Sequence, residues 1–450
     1  MRWLKCVTRL PDAQGKAKHF FPLASARRFA ETSAMHRRRF LAATSAAVVT
    51  SPFLTRAAEA PSLAGFDREM EKFIEARKMP GGALAVVKDG RLVHARGYGW
   101  ADKEHQQRVE ATSLFRIASI SKPITAVAVL KLVEQGKLKL DDRAFDFLSL
   151  KPLPDAKPDP RLRTVTIRQC LQHTGGWDRD KSFDPMFRPK LIATAAGTAT
   201  PAGPDAVIRY MMGQPLDFDP GTRYAYSNFG YCVLGRVIEK LTEKSYEDYV
   251  KEVVLAPAGI KSMRLGRSLE TGRAPGEVRY YMPEAETAES VFPGLSPKVP
   301  WPYGAFNLEA MDAHGAWLAS AVDLARFAAA LHDAEKCPLL KPETWRELHA
   351  APPASVARAE DGPLKWTYYC CGWLTRPIGG QPGKANYWHS GSLPGTYTML
   401  VRRWDGLSWV MLFNQRSKDR KADGDLDPAL HRAADAMKEW PKGDLFTKFA

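Results

Sequence analysis

The spacing of hydrophobic positions changes along the chain, and each change predicts an element. Between residues 62 and 78, Leu63, Phe66, Met70, Phe73 and Ile74 recur at three- and four-residue intervals, the pattern of an amphipathic helix. Ala83 to Val87 and Leu92 to Ala95 flank Lys88-Asp89-Gly90, which predicts a β-hairpin turned at Asp-Gly. From Pro123 to Val133 almost every residue is apolar and Gly136 follows, so a helix buried on most sides and capped by glycine is expected. The Pro-rich middle carries helical stretches at 166–172, 206–212, 229–241 and 246–254, while the low-complexity run from Ala193 to Pro204 reads as a surface loop. Strand patterns return at 368–375, 387–390, 396–402 and 407–414, the last two joined at Asp405-Gly406. Asp427 to Trp440 reads as a closing helix with Pro428 in its first turn. Early strands, a helical middle and late strands predict an α+β fold: one antiparallel sheet built from both chain ends and flanked by helices, with an inserted all-helical subdomain at about 155–300.

Charge redraws the start of the chain. The 450 residues carry a formal charge of +15, which invites a nucleic-acid reading. Residues 1 to 58, however, hold eleven Lys/Arg against Asp12 and Glu31, a balance of +9, and only +6 is left for the remainder. There the basic residues are scattered among acids and no nucleic-acid motif is present, so that partner is not expected. Arg37-Arg38-Arg39-Phe40-Leu41, a short Ala/Thr/Ser/Val run and small residues around Ala57 to Ala60 have the layout of a twin-arginine-type export signal. A disordered basic tail is the plainer alternative. The run is too short and too polar for a membrane span. Residues 1–60 are therefore read as a leader whose true start is Met35, residues 61–441 as the functional domain, and the mature protein as periplasmic or secreted.

Cys6 falls in the leader, and Cys170, Cys232, Cys337, Cys370 and Cys371 are an odd set without C-x-x-C spacing, which supports neither a zinc site nor a disulfide framework. Cys170 and Cys232, in apolar helical stretches, read as buried thiols. On a single strand, Cys370 and Cys371 would face opposite sides, so one of the two is expected to be buried.

Three short motifs could carry chemistry. In Ser119-Ile120-Ser121-Lys122, helical spacing brings the hydroxyl and the amine within reach, and an amine buried by an apolar helix can serve as the base that activates the serine. Alone, the same four residues describe a capping serine and a surface lysine. In Tyr226-Ser227-Asn228, extended backbone points the phenol and the amide the same way; a phenol whose anionic form is favoured by cations can move protons, and the amide can orient a lysine or a carbonyl. A turn with a helix cap is the alternative. In His389-Ser390-Gly391-Ser392, a strand can offer a backbone N–H to an oxyanion, and Gly391 permits another element to approach closely. The three occur in this order, about 107 and then 163 residues apart, each in a suitable element, and coincidence explains that poorly. His173 reads as a cap or packing residue, His314 as a lone loop histidine, and Trp177 and Trp373 as cleft or core.

With these motifs, Phe115-Arg116-Ile117-Ala118, Val165 to Gly176, Pro220-Gly221-Thr222, Ala316 to Phe327 and His389 to Gly395, the chain from Phe66 to the last strands resembles the serine β-lactamase and penicillin-binding-protein superfamily. The likeness is to the branch holding class C β-lactamases, D-alanyl-D-alanine carboxypeptidases and esterases. It implies Ser119 as the acylated nucleophile, Lys122 as its proton acceptor and Tyr226 as the proton shuttle. Asn228 would orient Lys122 and a substrate amide, and the backbone N–H groups of Ser119 and Ser392, beside Gly391, would hold the oxyanion. His389 would stand where many members carry the lysine of Lys-Thr-Gly, and a mostly neutral histidine favours an ester, an amide or a D-amino-acid derivative over a substrate read by its carboxylate. The expected function is hydrolysis through an acyl-enzyme of a small-molecule or peptide-like ester, amide or β-lactam-type substrate, without metal or organic cofactor. The alternative is a protein that is acylated but does not turn over, acting as a penicillin-binding or sensor-type module. Oligomeric state is left open.

Overall fold

The structure, a computed structural model, describes residues 62–353, 356, 367–379, 384–418 and 422–449. The leader reading of residues 1–60 lies outside them. Chain order gives α1 (Ala64–Ala76), β1 (Gly81–Lys88), β2 (Arg91–Asp102), β3 (Gln107–Arg108), β4 (Phe115–Arg116) and α2 (Ser121–Glu134). Then come α3 (Ile167–Leu171), α4 (Pro189–Ala196), α5 (Pro204–Met211), α6 (Asn228–Thr242) and α7 (Tyr246–Val250). Short strands β5 (Arg264–Leu265), β6 (Thr287–Glu289), β7 (Lys298–Pro300) and β8 (Trp317–Ala319) precede α8 (Ala321–Ala330) and α9 (Pro342–Leu348). Strands β9 (Tyr368–Tyr369), β10 (Leu374–Pro377), β11 (Ala385–Leu393), β12 (Thr396–Arg402) and β13 (Leu407–Phe413) lead to α10 (Leu426–Asp435).

The main sheet has eight strands in the order β3-β2-β1-β13-β12-β11-β10-β9, and its ladders are antiparallel. The two ends of the chain meet at its centre, where Leu84 pairs with Met411 and Val86 with Trp409. Ala83, Ala85, Val87, Val410 and Leu412 face one core, and Leu84, Val86, Trp409, Met411 and Phe413 face the other. Burial on both sides is why these strands read as unbroken apolar runs rather than as alternation. Phe66, Met70 and Phe73 of α1, with Leu426 and Leu430 of α10, cover the outer face. On the inner face α8 lies on β1 and β13, while α2 packs on α6.

The predicted hairpin forms, with Asp89 at φ 50° and Gly90 at φ 77°, the conformation of a tight turn matched to strand twist. The end of α2 is a glycine cap: Gly136, at φ 68°, sends its N–H to the Val133 carbonyl and Lys137 bonds back to Leu132.

Several expectations are corrected. The stretch 368–375 is a hairpin and not one strand, with Leu374 paired to Tyr369 across a turn at Gly372 (φ 84°). A β-carbon on Gly372 would lie 2.9 Å from Ala126 and 3.0 Å from Pro123, so the turn seats directly on the start of α2. For the same reason Cys370 and Cys371 are both fully buried, against the expectation of one. The closing helix stops at Asp435, and the turn after it carries Trp440 back onto Phe66 at 6.1 Å between ring centroids. The low-complexity run is loop only after Ala196, because Ile192 and Ala193 are buried and hold α4 in place. Helical character in the 155–300 segment gives way beyond Leu255 to β5, β6 and β7, so that span is not helical throughout. Trp177 and Trp373 are core residues, 5% and 0% exposed.

Candidate active site

Ser119 sits in a single 3₁₀ turn (Ala118–Ile120) between β4 and α2, and three features fix that turn. Phe115 pairs with Ala319 of β8. The Thr396 and Thr398 hydroxyls of β12 donate to the carbonyls of Arg116 (3.0 Å) and Ile117 (2.9 Å). Buried Arg116 donates to the carbonyls of Pro302 (2.6 Å) and Arg267 (2.8 Å), tying the 265–303 segment to the strand before the serine. Ala118 is held at φ 48°, a left-handed conformation unusual for a residue with a β-carbon. A β-carbon on Gly391 would lie 2.2 Å from the Ile117 carbonyl oxygen, so only glycine lets β11 lie this close. That contact brings Ser392 to the same cavity as Ser119.

Lys122, one helical turn on, is fully buried, which removes the surface-lysine reading. Its Nζ is 2.8 Å from Asn228 Oδ1, 3.2 Å from Ser119 Oγ and 3.2 Å from the His314 carbonyl oxygen. Burial drives its pKa far below the usual lysine range, and the charge of Arg179 adds to the effect while Asp184 opposes it. The neutral amine fits these partners: two N–H groups serve Asn228 and His314, and the lone pair is left for the Ser119 proton.

The helix-cap reading of the tyrosine motif holds, and the cap also brings two polar groups toward Lys122. Ser227 caps α6, its Oγ accepting from the Gly230 N–H at 3.4 Å, and the same turn brings the Tyr226 ring 4.7 Å from Lys122 Nζ and Asn228 to the amine. Burial pushes the Tyr226 phenol well up, against a hydrogen bond with Ser119 and the charge of Arg179, whose guanidinium lies 4.6 Å over the ring. The expectation that cations favour a phenolate here is therefore reversed: Tyr226 is held as a phenol, a proton donor.

His389 is 2% exposed and is not among the residues lining the cavity. A carbonyl can only accept, so Nδ1–H donates to Ser390 O at 2.7 Å and Nε2 accepts from the Tyr369 hydroxyl at 3.0 Å. Burial, with Lys122 adding to it, lowers its pKa to about 3. The motif histidine thus presents no charge to a substrate. The cations at the cavity wall are Arg179 and Arg416, beside Phe187 and Trp301, around a volume of about 250 Å³. His173, at φ 58°, accepts the Ser227 N–H at 3.2 Å and packs 4.4 Å from both Tyr226 and Tyr369, a structural role. Among the described residues no group of three or more His, Cys, Asp or Glu could hold a metal ion.

The buried imidazoles give a stability prediction. His173, His314 and His389 have folded pKa values below 6.5, so as the pH falls under 6.5 the unfolded chain binds protons that the folded chain refuses. Unfolding in urea is expected to be easier at pH 5 than at pH 7 by at least about 2 kcal/mol. A midpoint that stays put or rises would contradict neutral burial.

The family model described as Beta-lactamase matches residues 66–433. The chain belongs to the Beta-lactamase family. Among relatives of this Beta-lactamase family member, penicillin-binding protein 4 of Amycolatopsis lactamdurans is 30% identical over 333 residues, 72% of this chain and 77% of that protein. The probable fimbrial assembly protein FimD, serogroup H1, of Dichelobacter nodosus is 32% identical over 182 residues, 40% of this chain and 43% of that protein. The chain thus spans less than half the length of that relative. The fold is shared with the D-amino acid amidase of Ochrobactrum anthropi SV3, at a TM-score of 0.64 and 22% identity over 83% of this chain and 98% of the amidase. The mixed helix and antiparallel-sheet architecture read from the sequence is the one these structures share. Among the described residues no helix is long and apolar enough to cross a membrane.

Four groups at the site of this Beta-lactamase family member escape sequence reading. His314 acts through its backbone carbonyl, which no side-chain pattern announces. Tyr369 reaches His389 only because 368–375 folds into a hairpin. Arg179 and Asp184 come from a loop; Asp184-Pro185 signals a turn, which forms, but nothing in it marks a partner of Asn228.

Proposed function

We propose that the protein is a serine hydrolase that acts through an acyl-enzyme on Ser119, taking an ester, amide or β-lactam-type substrate. One observation carries this reading: a fully buried lysine amine within hydrogen-bond distance of an accessible serine hydroxyl, with its other partners both acceptors. Ser119 Oγ attacks the carbonyl carbon as its proton passes to Lys122, and the oxyanion is held by the backbone N–H groups of Ser119 and Ser392. The phenol of Tyr226 gives its proton to the leaving group and recovers one from Lys122. Water then repeats the sequence in reverse on the acyl-enzyme, with Tyr226 relaying its proton. A relative named as a penicillin-binding protein and a fold neighbour named as a D-amino acid amidase support a lactam or amide carbonyl as the electrophile. The neutral His389 supports a substrate that is not selected by a carboxylate at that position. The arginine run before a short apolar stretch supports export by the twin-arginine route to the periplasm or beyond.

Incubation with a fluorophosphonate, digestion and mass spectrometry test the reading. One adduct is expected, on the peptide containing Ser119; no adduct, or one elsewhere, overturns it. With p-nitrophenyl esters and nitrocefin, steady turnover is expected after any burst, and a stoichiometric burst without turnover would leave the acylated, non-hydrolysing alternative in its place.

A further inference from the structure

Two of the charged groups in the loop between Asp178 and Arg188, Arg179 and Asp184, lie beside the site and have no part in the chemistry above. Asp184 Oδ2 accepts from Asn228 Nδ2 at 2.6 Å, and its Oδ1 accepts from the Met186 N–H at 3.1 Å. A carboxylate can only accept, so Asn228 must turn its nitrogen to Asp184 and its oxygen to Lys122, where the separation is 2.8 Å. From the other side, the Arg179 guanidinium lies 4.6 Å from the centroid of the Tyr226 ring, and that ring lies 4.7 Å from Lys122 Nζ. One short loop therefore places a negative and a positive group around a single buried amine.

We propose that Asp184 and Arg179 are positioning residues that set the proton affinity of Lys122 in opposite senses, Asp184 through the amide of Asn228 and Arg179 across the face of Tyr226. The inference rests on the reading of Lys122 as the base for Ser119. The carboxylate favours the ammonium and the guanidinium favours the free amine. The other titratable groups facing Lys122 are quiet at neutral pH. Tyr226 and Tyr231 are kept as phenols by burial, and His173, His314 and His389 are kept neutral by it. Arg236, behind His314, is paired with Asp312 and Glu239. Burial pushes the Asp184 carboxyl up, and Arg179, the Asn228 amide and the Met186 N–H work against it. Asp184 also caps the turn Pro185–Phe187, so the residue that orients Asn228 holds Phe187 at the cavity wall as well.

The test is the pH dependence of Ser119 acylation by a fluorophosphonate in the full chain, in Asp184→Asn and in Arg179→Gln. Acylation needs the free amine, so its acid limb follows Lys122. Removing the carboxylate is expected to move that limb down by about 1 pH unit, and removing the guanidinium to move it up by about 0.5. Because Arg179 is exposed, its shift should shrink in 1 M salt more than that of half-buried Asp184, which acts through a direct hydrogen bond to Asn228. A purely structural loop would lower the melting temperature and slow acylation equally at every pH; limbs that stay put, or move the same way, overturn the inference. If Asp184→Asn does not fold, the exposed Arg179→Gln carries the test alone. An unaltered protein that is never acylated overturns the base assignment and this inference with it, whereas acylation with unmoved limbs overturns this inference only.

Discussion

Ser119→Ala is expected to lower kcat/KM for an activated ester on the order of 10⁵-fold, because the variant loses the one atom that can bond to the carbonyl carbon while the oxyanion donors and the cavity remain. The side chain is only partly buried and its hydroxyl meets Lys122 at 3.2 Å, so its removal leaves that amine with Asn228 and the His314 carbonyl. Stability should therefore change by no more than about 1 kcal/mol, seen as an unmoved melting transition. Kinetics beside a thermal melt check both halves. A fall of less than about 100-fold in a folded variant would mean that the nucleophile is another residue.

Lys122→Met is expected to cost on the order of 10³ to 10⁴-fold in kcat/KM, the usual worth of a general base acting on a weak nucleophile. Stability should move the other way, or hardly at all. Wild-type folding carries an amine out of water into a fully buried site, and the fall in its pKa reports how unfavourable the charged form is there. Methionine fills similar volume with no charge to desolvate, against which Asn228 Oδ1 and the His314 carbonyl lose a donor. A melting temperature equal to or above that of the unaltered protein, joined to near-complete loss of acylation, is the expected pair. An inactive variant that is also grossly unfolded, or one retaining a tenth of its activity, would contradict it.

The candidate site is legible where side chains that could carry chemistry stand at fixed spacing. Ser119 and Lys122 share a helical turn, Tyr226 and Asn228 flank a capping serine, and Gly391 is a glycine because a carbonyl occupies the place of its β-carbon. Fold class followed from strands at both ends of the chain, since a sheet buried on both faces leaves long apolar runs. What remained hidden depends on tertiary contact. Tyr226 lies close to cations, yet burial outweighs them and keeps the phenol protonated. His389 occupies a motif position, but whether it faces substrate or a tyrosine hydroxyl is decided by the turn at Gly372, where the hydrophobic pattern suggests continuous strand. Asp184 meets Asn228 across a loop whose path no periodicity encodes.

The pairing of β1 with β13 also bears on the order in which the candidate site can assemble. Ser119 lies early in the chain, whereas Gly391 and Ser392, which complete its surroundings, are on β11, and β11 is joined through β12 to β13. A nascent chain can form α2 with its serine and lysine, but the part of the cavity wall that Ser392 and Leu393 supply is missing until β11 has been made. Closing so long a loop makes sheet formation slow and concerted. A chain cut short before β11 would therefore keep Ser119 and Lys122 but lack Gly391 and Ser392 beside them.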